Sequence, residues 1–136
     1  MKLSFRSLFR QALIAALVAV GLNALLYWLF ITAGFISTVL PISPDGRPLS
    51  TVPVAMASIL PVGLAAVVYG LLARLVPGNY RRLFTFLAIS LLLLSFLSPF
   101  SIAEVPLTMA VSLNVMHVVV ALATLFFLTK TQTQNA

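Results

Sequence analysis

Four stretches of this chain, at about 11–36, 52–76, 83–97 and 107–129, are apolar almost throughout, and Arg74 is the one formal charge among them. A helix that crosses about 30 Å of hydrocarbon needs roughly 20 apolar residues at 1.5 Å each. The third stretch is short, so it borrows Arg82 and Ser98 as interfacial ends or thins the bilayer locally. Barrel strands would alternate apolar and polar residues, and these stretches do not. Composition agrees: 62% of the 136 residues are apolar and 7% are charged. Soluble domains sit nearer half and a quarter, and a chain of this size cannot hide so much apolar surface in one core. The expected fold is an all-α, four-helix transmembrane bundle in a single domain.

The first stretch follows a basic start, but its apolar run of about 25 residues is too long for a signal-peptide core, so it reads as a retained helix. Ser43-Pro44-Asp45-Gly46 is turn chemistry in an outer loop at 37–51. Pro77-Gly78-Asn79 ends the second helix and makes a tight loop, 77–82, to the third. Ser98-Pro99 is expected to stop the third helix, and Pro106 suits the first turn of the fourth, with an outer loop at 98–106. The polar tail at 131–136 is expected to fray.

Four spans put both termini and the 77–82 loop on one side. That side holds Lys2, Arg6, Arg10, Arg74, Arg81, Arg82 and Lys130, while Asp45, Arg47 and Glu104 fall opposite. The positive-inside rule then gives an N-in, C-in protein, with both termini expected in the cytoplasm. The net charge of +6 becomes a topology marker, and its partners are lipid headgroups rather than nucleic acid. Arg6 and Arg10, one turn apart, suit an amphipathic lead-in at the interface. Tyr27, Trp28, Tyr69 and Tyr80 read as ordinary interfacial aromatics.

Three strongly polar residues fall at membrane depth. By helical rise, Asn23 is about 18 Å in from one side, and His117 and Asn114 are about 15 and 10 Å in from the other. Asn114 and His117 are spaced i, i+3 and share a face with Ala110, Ala121 and Thr124. Polar and small residues turn inward in lipid, so this stripe is expected to face the bundle interior. Pro61, about 13 Å into the second helix, removes one backbone bond and frees the carbonyl of Ala57. Asn23, Ser58, Pro61, Asn114 and His117 are therefore expected to form one polar layer. His117, lacking a carboxylate partner at that depth, is expected to be neutral. Its favoured role is a hydrogen bond to Asn23, Asn114 or a freed carbonyl that fixes helix register.

The inventory excludes much chemistry. With no cysteine there is no disulfide, dithiol or thiolate metal site. A proton-coupled antiporter needs a carboxylate in the membrane, and both acids lie in loops. A single histidine cannot supply two haem ligands, and no nucleophile, base and acid converge. No metal, cofactor or catalytic residue is expected. Glu104, near the start of the fourth helix, reads as a favourable helix-dipole charge.

In the fourth helix, Leu107-Thr108-Met109-Ala110, then Leu113, then Met116-His117-Val118-Val119 resembles a bacterial family of small four-helix integral membrane proteins of uncharacterised function. The likeness extends along the chain. It takes in Asn23 followed by Tyr27 and Trp28, the prolines 41, 44, 48 and 53, the basic Arg74 and Arg81-Arg82, and Leu97-Ser98-Pro99. The chain departs from that pattern in a basic-poor tail and a short third span. The resemblance implies a fold and a location, a bacterial cytoplasmic (inner) membrane, without an activity. The first reading of function is a non-catalytic structural or accessory module that meets a protein partner or a second copy. The alternative is a binder or carrier of a small apolar molecule. Its pocket would lie among the first, second and fourth helices around Asn23, Asn114 and His117, gated at Pro61 and covered by the 37–51 loop.

Overall fold

The computed structural model describes residues 2–42, 45–131 and 133–134. Ser43 and Pro44 of the expected turn, and Gln132, Asn135 and Ala136 of the tail, lie outside the described residues. The chain runs β1 (Lys2–Leu3), α1 (Phe5–Thr32), α2 (Thr51–Leu75), α3 (Tyr80–Ser95), α4 (Leu97–Phe100), α5 (Leu107–Leu128) and β2 (Thr133–Gln134). Four helical segments are long and apolar enough to cross a membrane: α1, α2, the run Tyr80–Phe100, and α5.

The ends of these segments differ from the sequence expectation for local reasons. The Ser4 hydroxyl accepts from the Ser7 amide at 3.3 Å, which caps α1 at Phe5. The basic lead-in is thus the first part of the span itself. Arg81 and Arg82 lie in the first turn of α3 rather than in a loop, since arginine stems lie along apolar surface while their heads reach water. The third helix ends at Ser95, whose carbonyl would have bonded the N–H that Pro99 lacks, but the span resumes as α4 after one turn residue. Pro99 falls in the first turn of α4, where its missing N–H costs nothing. Tyr80–Phe100 is 21 residues, so no thinning of the bilayer is required. Thr133–Gln134 pairs antiparallel with Lys2–Leu3, so this part of the tail is tied to the start of the chain rather than frayed.

The core is a triad of α1, α2 and α5, and it is layered along the bundle axis. In the middle, Ala15 and Ala19 of α1 meet Val62, Val120 and Ala123. Such small residues let helix backbones approach closely in lipid, where apolar burial itself drives little. At the end where the termini meet, Leu8, Tyr69, Phe84 and Leu128 pack together. A Cβ on Gly70 would stand 3.3 Å from the Leu8 side chain, so α1 and α2 are in close contact there. The Tyr69 ring meets Tyr80 and Phe84 edge-on, at centroid distances of 5.3 and 4.9 Å. Tyr69 is fully buried, so at that level it packs inside the bundle instead of facing headgroups.

At the opposite end, Tyr27, Ile36, Val54, Met109 and Met116 form the third layer, with Leu40, Ile42 and Leu49 of the loop folded onto it. The Tyr27 hydroxyl donates to the Leu49 carbonyl at 2.8 Å. Tyr27 is therefore a latch for the loop, while Trp28 beside it is exposed. The loop itself closes on a bridge between Pro41 and Pro48, with Gly46 at φ 74, a conformation glycine adopts without strain. Large apolar residues remain outside the bundle on every helix, Leu17, Leu64, Phe86 and Leu122 among them, as expected where the solvent is lipid.

Candidate functional site

The structure divides the expected polar layer in two. Asn23 is buried and donates to the Ser58 hydroxyl at 2.9 Å and to the Met116 carbonyl at 3.2 Å. Ser58 in turn donates to the Val54 carbonyl at 2.8 Å. This is a clamp across α1, α2 and α5, with its donors spent on protein. Interhelical bonds of this type average about 0.6 kcal/mol, so its main effect is to fix register.

Asn114 and His117 turn the other way. Asn114 donates to the Phe96 carbonyl at 3.3 Å, at the α3–α4 junction. Met116, not His117, faces Asn23. His117 lines a cleft of about 450 Å³ between α2, α3 and α5, with Ala57, Pro61, Ala88, Leu92 and Ala121 among its walls. The expected pocket among the first, second and fourth helices is thus displaced by one wall, and Asn23 has no part in it. The 37–51 loop covers the Tyr27–Met109 layer instead of this cleft.

The polar content of the cleft is small. Thr124 and Ser95 donate to carbonyls of their own helices, each at 2.7 Å. Pro61 has no N–H, so the Ala57 carbonyl receives no helical bond from it. The buried Nδ1 of His117 has no hydrogen-bond partner among the described residues. Leaving a buried polar atom unpaired costs about 1–3 kcal/mol. What the site offers an occupant is a largely apolar slot with the His117 ring and Ala57, whose carbonyl Pro61 leaves free, in its walls. Among the described residues, no group of three or more His, Asp or Glu could hold a metal.

The basic residues gather at the end where the termini meet. The Arg74 guanidinium lies 4.8 Å from the centre of the Phe5 ring, and the Lys130 ammonium 3.6 Å from that of Phe126. Arg81 donates to the Thr131 carbonyl at 3.3 Å. Arg6, Arg10 and Arg82 are exposed, and Lys2 belongs to the terminal ladder.

Sequence reasoning missed the faces that build this geometry, although a signal was present. Met109, Ser112, Met116, Val120 and Ala123 are all buried, and they recur at spacings of 3, 4, 4 and 3. Ala15, Ala19, Asn23 and Tyr27, buried on α1, recur at every fourth residue. Those two stripes meet, and they leave Asn114 and His117 for the α3 side. A family model described as a family of unknown function (DUF6069) matches residues 3–134. No curated protein and no solved structure matches the chain.

Proposed function

The chain belongs to the family of unknown function DUF6069, and we propose that it is a non-catalytic multi-pass protein which holds a small, largely apolar molecule in the cleft between α2, α3 and α5. The observation that carries this reading is a largely apolar cleft of about 450 Å³ lined by His117, a ring whose buried Nδ1 has no partner among the described residues. Ligand sites commonly enclose about 300–1,000 Å³, with apolar walls and a few polar groups that set orientation. A hydroxyl on the occupant would satisfy His117 in either tautomer, because it both donates and accepts. Leu60, Pro61 and Leu91 at the walls are exposed, so the slot opens sideways and its occupant would arrive through the bilayer.

Small molecules that co-purify with the protein test the reading, measured by mass spectrometry on the native chain and on His117→Leu. The native chain is expected to retain a lipophilic, hydroxyl-bearing compound. The variant, folded equally well, is expected to retain about tenfold less, the worth of one buried hydrogen bond. An unchanged profile would sink the pocket and leave the accessory-module reading in its place.

The membrane in this proposal is a bacterial cytoplasmic one, with both termini in the cytoplasm. Seven of the eight basic residues lie at the end that carries the termini, which supports that orientation through the positive-inside rule. A reporter that is active only in the cytoplasm, fused after Ala136, is expected to be active. Activity from a periplasm-specific reporter at the same position would reverse the orientation.

A further inference from the structure

The chain has two carboxylates, Asp45 and Glu104, both in loops at the end away from the termini. Asp45 pairs with Arg47 at 3.3 Å, the one ion pair among the described residues. Among the described residues, no acidic side chain lies with the cations at the other end. Arg74, Arg81 and Lys130 rest on aromatic rings. Arg6 and Arg10 do neither, and they sit side by side. Both line a groove of about 550 Å³ on the first turns of α1, together with Ser4, Ser7, Phe9 and Leu13. Like charges at i, i+4 repel by a few tenths of a kcal/mol unless an anion lies between them.

We propose that this groove binds the phosphate of an anionic phospholipid, with an acyl chain laid along α1. Depth supports a lipid. Residues 11–31 of α1 are uncharged and span about 31 Å, so Arg10 stands at the hydrocarbon edge and Arg6 about 6 Å farther out, at headgroup level. Two guanidinium forks at that level suit a phosphate held by paired N–H groups, and the α1 N-terminus adds a favourable dipole. From the level of Arg10 inward, the ridge Phe9, Leu13, Leu17 points away from the bundle, with Phe9 73% and Leu17 65% exposed. A soluble phosphate would have no use for that ridge, and an acyl chain would.

The site makes a demand that general positive-inside charge does not: Arg6 and Arg10 must matter more than an equally free arginine elsewhere. Arg82 is that control, exposed at the same end and outside the groove. The full chain is placed in nanodiscs of equal parts phosphatidylglycerol and phosphatidylcholine. Native mass spectrometry then reads the lipids it keeps on release. The native protein is expected to keep phosphatidylglycerol preferentially. Arg6→Gln/Arg10→Gln is expected to lower that preference about thirtyfold, from the attraction of two near-surface charges at about 1 kcal/mol each. Arg6→Lys/Arg10→Lys, which keeps the charge for insertion and folding but loses the forks, is expected to fall between the two. Arg82→Gln should stay near the native ratio, and millimolar inorganic phosphate should displace nothing. The proposal is overturned if the glutamine pair keeps the native preference, if Arg82→Gln loses as much, or if free phosphate competes the lipid away.

Discussion

Met109→Ala is expected to lower the unfolding free energy by about 2–5 kcal/mol, the usual cost of emptying a well-packed site of a methionine. Met109 is fully buried two residues into α5, where Ile36, Leu40, Ile42 and Leu49 fold over the bundle end. That end faces water across a loop, so truncation there costs both apolar transfer and a cavity. Unfolding in mixed lipid–detergent micelles reads the effect. Limited proteolysis within 37–50 should accelerate in parallel, because Met109 is part of what the loop packs on. A change below about 0.5 kcal/mol, the range of ordinary surface substitutions, would mean that the loop does not close that end.

Tyr69→Ala is expected to cost about 2–3 kcal/mol for a different reason. Lipid tails are as apolar as the side chains they replace, so transfer from water contributes little within the bundle. What remains is the cavity, roughly 100 Å³ at about 24 cal/mol per Å³. Tyr69 also carries both edge-on ring contacts to α3, through Tyr80 and Phe84. The same titration measures the loss. Phe86→Ala removes an exposed ring of α3, and its expected change is within about 0.5 kcal/mol. Equal effects at the two positions would show that Tyr69 contributes nothing particular.

The spans are legible in the sequence because hydrocarbon imposes a length and a composition that little else requires. Depth counting along helices also puts Asn23 and Ser58 at one level, and the structure bonds them. What the sequence hides is direction. α5 carries large apolar residues on every side, so its few polar groups mark no one face as the buried one. Its polar pair therefore points to α3 through the packing of the opposite face, Met109 to Ala123, on α1 and α2. The partner of Asn23 on α5 is a backbone carbonyl, which no residue type announces. The third span is obscured by arginines and a proline that read as boundaries, although each is tolerated within a first turn. In the 37–51 loop, the prolines draw the eye from the apolar residues 40, 42 and 49, which make it a cap.

The single buried residue of α3 is Phe84, close to the helix start and held against Tyr69. Near its far end the wall is fastened by one side-chain hydrogen bond, from Asn114 to the Phe96 carbonyl at 3.3 Å. The α1–α2–α5 triad, by contrast, is locked at three levels. With so few buried contacts, α3 is the expected place for an outward swing, pivoting on the aromatic rings and released at Asn114. Such a swing widens the slot beside His117 without disturbing the Asn23 clamp. For the small molecule proposed above, such a swing would be the route of exchange with the bilayer, at a rate set by the latch rather than by the pocket walls.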